Sequence, residues 1–92
     1  MLFDAWVKVN LDIAVRLNME SGMKITDSKT LGQAIRVRRK ELHYTQAYLS
    51  EFSGLSITFI SDVERGKPTA EIEKTIRLIN LLGLDLLVEK RG

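Results

Sequence analysis

Cysteine is absent from the sequence, and histidine occurs only once, as His43. The absence of cysteine excludes both a disulfide framework and a thiolate metal site, and it fits a protein of the reducing cytoplasm. Clusters that combine a nucleophile, a base and metal ligands are missing too. We therefore expect a protein that is not an enzyme and that binds neither a cofactor nor a metal.

Long apolar runs are also missing. The uncharged stretches are far shorter than a membrane span, and charged residues interrupt the apolar N-terminal segment, so we expect neither a transmembrane helix nor a signal peptide. Of the 92 residues, 45% are hydrophobic and 28% are charged, which is the balance of a folded globular protein. A chain of this length forms one compact domain with a small core, and dimerisation would stabilise it further.

The formal net charge of +2 says little by itself, but the charges are unevenly distributed. Between Lys24 and Ser53, six lysine and arginine residues stand against only three acidic ones. A basic face of this kind is typical of proteins that bind nucleic acid.

Apolar residues at helical spacing predict a first helix over residues 31–42, with Thr30 and Gln33 as its capping box. Thr45 is placed to cap a second, short helix. Gly54 marks the end of that second helix, because glycine adopts positive φ without steric cost.

Ser56 is placed to cap a third helix over residues 57–64, and Thr69 to cap a fourth that Gly83 ends. The second and third helices are joined by a turn of about three residues that begins with glycine. Such a turn lets the second helix of the pair project outward, which suits the major groove of DNA.

The segment after Gly83 changes to an alternating apolar pattern, which predicts one β-strand. A single strand cannot satisfy its own backbone, so it pairs either with the segment near residues 23–26 or with the same strand of a second subunit. The fourth helix also carries more apolar residues than a monomer of this size would bury. The residues predicted for dimerisation are Leu78, Leu81, Leu84, Leu86 and Val88.

Residues 1–22 fit two patterns, since their apolar residues alternate as in a strand but also include a stripe at helical spacing. Met19 and Met23 permit a later start codon, so this stretch is not certain to belong to the functional domain. We therefore divide the chain into an N-terminal extension (1–23), a helix-turn-helix DNA-binding domain (24–83), and a dimerisation strand with its tail (84–92).

The stretch from Thr45 through Ile60-Ser61-Asp62-Val63-Glu64-Arg65-Gly66 resembles the phage-repressor-like, or Xre-type, helix-turn-helix family. The resemblance covers about residues 31–82, and residues 59–69 with 83–86 are more narrowly similar to HipB-type antitoxins. It implies a mainly α, four- to five-helix domain whose short C-terminal strand is paired across a dimer. It also implies a homodimer that represses its own operon by binding a double-stranded DNA operator and that binds a HipA-type kinase toxin.

Carried onto this sequence, the family pattern assigns the functional residues to three sets. The DNA phosphate contacts are Thr45, Gln46, Arg65 and Lys67. The residues that face base edges are Ser56, Ile57, Thr58, Ser61 and Asp62. A partly buried salt bridge between Arg39 and Glu64 links the first and third helices.

The third helix lacks the asparagine, glutamine or arginine that makes bidentate base contacts. Specificity would then depend on DNA shape and on two half-sites about one helical turn apart. Asp62 has two interpretations, since it can accept a hydrogen bond from cytosine or repel phosphate. Three functions follow: an autoregulating antitoxin, an interaction module that neutralises a partner without useful DNA binding, and a stand-alone phage-type repressor.

Overall fold

The computed structural model describes residues 22–92, and this part of the chain forms four α-helices. The helices are α1 (Ser28–Glu41), α2 (Gln46–Ser53), α3 (Ile57–Glu64) and α4 (Ile72–Leu81). The predicted mainly α architecture is therefore confirmed. The alternative strand and helix patterns of residues 1–22 lie almost wholly outside the residues that the structure describes. Within residues 22–92, no helix is long and apolar enough to cross a membrane.

Helix α1 begins three residues earlier than the sequence predicts. Its N-cap is Asp27, whose carboxylate accepts a hydrogen bond from the Thr30 N–H at 2.8 Å, while the Thr30 hydroxyl accepts one from the Asp27 N–H at 3.2 Å. The capping box predicted for Thr30 and Gln33 is therefore wrong, because Thr30 is the inner member of the box and not its cap. Hydrogen bonds from Thr30 to the Asp27 carboxylate, first of all from the Thr30 backbone N–H, hold the pKa of Asp27 below its usual value.

The helix-turn-helix pair forms as predicted. The Thr45 hydroxyl accepts a hydrogen bond from the Tyr48 N–H at 3.0 Å, and the Ser56 hydroxyl accepts one from the Phe59 N–H at 3.0 Å. Each hydroxyl satisfies an N–H group that has no partner within its own helix. Gly54 follows α2 with φ of 77°, so the chain reverses there in a conformation that other residues rarely adopt.

Helix α4 begins later than predicted, and Thr69 does not cap it. Thr69 lies in the turn that follows α3, and the residue before α4 is Glu71, whose side chain makes no capping hydrogen bond. The turn is closed by a hydrogen bond from the Ala70 N–H to the Lys67 carbonyl at 3.4 Å. The loop that contains the single proline therefore extends past Thr69.

The core is assembled from all four helices. Helices α1 and α2 both pack against α3. Two arginines link α4 to the other helices. Arg77 of α4 donates to the carbonyl of Ser53 at the end of α2 at 2.6 Å, and Arg38 of α1 donates to the carbonyl of Leu82 after α4 at 2.8 Å. The buried residues that form the core cluster are Ile35, Leu49, Leu55, Ile60, Val63, Leu78, Ile79 and Leu82.

Helix α1 lies in direct contact with the C-terminal end of α3 at Gly32. A Cβ atom added to Gly32 would overlap the Val63 carbonyl oxygen and would lie 2.8 Å from the Glu64 carbonyl oxygen. Both neighbours are backbone atoms, which cannot rotate away as a side chain could. Only glycine therefore permits the two helices to approach this closely.

The residues predicted for dimerisation lie partly in α4 and partly in the C-terminal segment (84–92). Leu78 is completely buried in the core, so it is unavailable to a second subunit and its assignment to a dimer surface is wrong. Residues 84–92 form no strand in the single chain that the structure describes. Apolar side chains nevertheless remain exposed here: Leu81 at the end of α4 and Leu86 in the segment are partly exposed, and Val88 is 98% exposed.

Candidate nucleic-acid interface

The N-terminal half of α3 presents an exposed surface. Ser56, Ile57 and Thr58 are all exposed, whereas Ser61 and Asp62, one turn further on, are half-buried. The Ser56 hydroxyl already accepts the capping hydrogen bond, so a base edge would have to share it. Ile57 is the most apolar group on this surface and offers van der Waals contact only.

The N-terminus of α2 is the second part of the surface. Thr45 is exposed and caps the helix, and Gln46 is its first helical residue. The Gln46 side chain donates a hydrogen bond to Glu64 Oε1 at 3.1 Å, which fixes its amide against α3. The free N–H groups in the first turn of a helix attract anions such as phosphate.

A buried ion pair lies behind these two helices. Arg39 Nε lies 2.6 Å from Glu64 Oε2, and Arg39 Nη2 donates to Glu64 Oε1 at 2.9 Å. The Glu64 side chain is only 3% exposed, and Arg39 also donates to the Tyr44 carbonyl at 2.8 Å. One bidentate pair thus joins α1 to α3 and, through Gln46, to the start of α2.

The turn after α3 carries two cations beside a carboxylate. Arg65 Nη2 lies 2.7 Å from Asp62 Oδ1, and Lys67 Nζ lies 3.4 Å from Asp62 Oδ2. Backbone hydrogen bonds hold this turn on the helix end, and the Ser28 hydroxyl donates to the Gly66 carbonyl at 2.8 Å. The hydrogen bond from Arg65 is the main reason that the pKa of Asp62 is lowered.

The pairing of Asp62 with Arg65 and Lys67 is a feature that the sequence predictions missed. Those predictions placed Asp62 among the base-facing residues and the two cations among the phosphate contacts. The three-residue spacing between Asp62 and Arg65 was the available signal, because side chains at that spacing are neighbours on a helix.

An aromatic cluster on α2 was missed as well. The rings of Tyr44, Tyr48 and Phe52 lie 5.1 to 5.5 Å apart, and Tyr48 and Phe52 are about half exposed. Tyr44 precedes the helix, and the four-residue spacing of Tyr48 and Phe52 was the available signal, because it places both on one face of α2.

Comparison with known proteins identifies this arrangement of helices. The family described as helix-turn-helix matches residues 35–88, which is more than half of the chain. The chain belongs to the Xre-type helix-turn-helix family. This helix-turn-helix protein is 35% identical over 63 residues to an uncharacterized HTH-type transcriptional regulator of Sinorhizobium fredii, covering 68% of the chain and 83% of that relative.

A phage protein is similar to the same extent. The ImmF control region 10 kDa protein of Bacillus phage phi105 is 38% identical over 64 residues, which cover 70% of this helix-turn-helix protein and 71% of the relative. Membership of this family and these two relatives place the chain among helix-turn-helix transcriptional regulators.

Two solved structures share the fold. A HipB variant in complex with an O2 20mer superposes with a TM-score of 0.70 at 21% identity, covering 77% of this chain and 99% of that one. A HipB–O4 20mer complex gives the same TM-score at 20% identity, covering 77% and 100%. The helix-turn-helix protein therefore has a HipB-like fold.

Proposed function

We propose that the chain is a transcriptional repressor that binds a double-stranded DNA operator as a homodimer and controls its own operon. The observation that carries this proposal is the exposed N-terminal face of α3, flanked by two exposed cations, Arg65 and Lys67, on a turn fixed to the helix end. A helix with a free outer face and cations at its edge matches the shape and charge of a major groove between two phosphate strands.

In the proposed complex, one set of residues contacts phosphates and another faces the bases. Thr45 and Gln46 would hold one phosphate at the start of α2, and Arg65 with Lys67 would hold another beyond α3. Ser56, Ile57 and Thr58 are the most exposed of the residues that would face bases, and Ser61 and Asp62 lie deeper. Because none of the five makes bidentate base contacts, sequence preference would depend largely on DNA shape and half-site spacing.

We predict that the double variant Gln46→Ala/Lys67→Ala weakens binding to every duplex by about tenfold or more, because phosphate contacts carry no sequence information. Affinity is measured by fluorescence anisotropy on a duplex from the protein's own promoter and on an unrelated duplex. The salt concentration is varied from about 50 to about 200 mM. The slope of log affinity against log salt should become shallower by roughly 1 to 2.

The matched control is Lys90→Ala, which removes an exposed lysine from the C-terminal tail. It should leave both affinity and salt slope close to those of the wild-type protein. If the double variant bound as tightly as the control, the phosphate contacts would lie elsewhere. If the wild-type protein bound no duplex at all, DNA-binding repression itself would be excluded.

We also propose that the C-terminal segment forms the homodimer contact, by pairing as a strand with its copy in a second subunit. Its exposed apolar side chains and the lack of a strand partner for residues 85–92 in the described part of the single chain support this proposal, as does the apolar groove of about 230 Å³ that Leu84 and Leu86 line together with Met23. The proposed contact residues are Leu81, Leu84, Leu86 and Val88.

Leu86→Asp is predicted to shift the protein towards monomer in sedimentation equilibrium, because a charge would be placed on the apolar face of the paired strand. Leu87→Asp is the matched control, since adjacent strand residues point to opposite faces and Leu87 is already 74% exposed. Equal behaviour of the two variants, or a wild-type protein that stays monomeric at high concentration, would contradict the strand contact.

We further propose that the repressor is the antitoxin of a HipA-type kinase toxin, and the HipB-like fold supports this partner. The stand-alone phage-type repressor is the second candidate, supported by the phage relative. The reading frame next to this gene distinguishes them, because only an antitoxin has a kinase-like neighbour. An interaction module without DNA binding is the third candidate, supported by the apolar Ile57 on the exposed N-terminal half of α3. This candidate requires that the protein shifts no operator duplex in a gel mobility assay.

A further inference from the structure

Asp62 occupies the position between the two cations assigned to phosphate. It contacts Arg65 through Oδ1 and Lys67 through Oδ2, so each carboxylate oxygen is used by one cation. The Asp62 side chain is only 21% exposed, whereas Arg65 and Lys67 are 73% and 51% exposed. The carboxylate therefore lies beneath two cations whose outer surfaces face solvent.

This arrangement is fixed by the backbone. The Lys67 N–H donates to the Asp62 carbonyl at 2.9 Å, and the Arg65 N–H donates to the Ser61 carbonyl at 3.0 Å. The Ser28 hydroxyl on α1 holds the middle of the turn through Gly66. The backbone of the turn therefore keeps the three charged residues adjacent to one another.

A carboxylate and a DNA phosphate compete for the same cations, because both are anions that accept charge-assisted hydrogen bonds. A phosphate that approaches Arg65 and Lys67 must draw them away from Asp62 or bind beside it and be repelled. We propose that Asp62 is an internal competitor of the DNA phosphate, which restrains Arg65 and Lys67 and so lowers the affinity for DNA of any sequence. This inference rests on the proposed DNA binding.

The proposal assigns Asp62 a role different from base reading. A base-reading Asp62 would add affinity for one operator only, through a cytosine in a particular position. A competitor subtracts affinity from every duplex and leaves the order of preference among duplexes unchanged. Such a restraint suits a repressor that must leave the many non-specific sites of a genome.

Asp62→Asn is the test, because asparagine keeps the shape of the side chain and removes its charge. We expect the variant to bind both the promoter duplex and an unrelated duplex roughly three- to tenfold more tightly at low salt. The gain should shrink as salt is raised, since salt screens the attraction between DNA and the solvent-facing charges of Arg65 and Lys67. Asp85→Asn, at an exposed carboxylate of the C-terminal segment, is the matched control for net charge and should give a smaller gain.

A cycle with Arg65→Ala/Lys67→Ala shows whether Asp62 acts through these cations. In that background Asp62→Asn should change affinity no more than Asp85→Asn does, because the two cations that Asp62 restrains have been removed. A full gain in that background, a gain no larger than the control, or a loss on the promoter duplex alone would each overturn the proposal. Absence of any binding by the wild-type protein is a different result, which would refute DNA binding itself.

Discussion

Gly32→Ala is expected to destabilise the fold by about 2 to 4 kcal/mol, although the same exchange in an exposed helix interior usually stabilises. The new methyl group would overlap the Val63 carbonyl oxygen and would press on Glu64 at 2.8 Å. Since both are backbone atoms of α3, relief requires α1 and α3 to move apart. That movement would open the core on either side of the contact.

The effect is measurable by urea denaturation or by the midpoint of thermal unfolding. A loss of this size lowers the midpoint by roughly 10 °C or more for a domain of this length. Gln33→Ala, at the neighbouring position of α1, is the matched control and should be close to neutral. An unfolding free energy of Gly32→Ala equal to or above that of the wild-type protein would mean that the helices are not in contact there.

Glu64→Leu is expected to cost about 3 to 5 kcal/mol, because it leaves the Arg39 guanidinium buried without its counter-charge. The Arg39 Nε to Glu64 Oε2 distance of 2.6 Å and the 3% exposure of Glu64 place this pair away from solvent. The substitution also removes the acceptor of the Gln46 amide. DNA binding should therefore fall by more than the loss of folded protein accounts for, when it is measured well below the unfolding midpoint.

The double variant Arg39→Met/Glu64→Leu separates charge from packing. Replacing both partners removes the uncompensated charge, so most of the stability should return. Glu71→Ala, which breaks the exposed pair with Lys74, is the surface comparison and should cost less than about 1 kcal/mol. A double variant as unstable as Glu64→Leu alone would show that the pair stabilises the fold by its shape and not by neutralising a charge.

Local signals predicted the helix-turn-helix well. Thr45, Gly54 and Ser56 were each assigned from a short-range rule, a hydroxyl before a helix or a glycine after one, and the structure confirms each assignment. Such rules involve a few consecutive residues, so no knowledge of the rest of the fold is needed.

The wrong predictions have different origins: the capping assignments of Thr30 and Thr69 misapplied a local rule, whereas the assignment of Leu78 depended on contacts between distant residues. Thr69 satisfies the capping rule, but the loop around Pro68 extends past it before α4 begins. Leu78 belongs to an apolar stripe wider than a small helix usually buries, yet α4 is turned so that this residue enters the core. A hydrophobic stripe does not say which of its residues meets the other helices and which remains outside.

The candidate site was predictable in position but not in its interactions. Family resemblance assigned Gln46, Arg65 and Lys67 to phosphate contact, and the structure has them at or just beyond helix ends, but the resemblance did not reveal that Gln46 is bonded to Glu64. Likewise, the contact of Lys67 with Asp62 depends on the turn through Gly66, whose carbonyl accepts a hydrogen bond from Ser28 in another helix. The C-terminal strand requires a second chain and stays a prediction.

In the proposed complex with DNA, the two helix caps also limit how operator preference can change over evolution. Thr45 and Ser56 each satisfy a helix N–H group, so exchanging either for a residue that cannot cap would weaken its helix by about 1 kcal/mol. Ile57 and Thr58 are exposed and are not needed as caps. New DNA preferences would therefore arise most readily at these two positions, and libraries for retargeting the protein should vary them first.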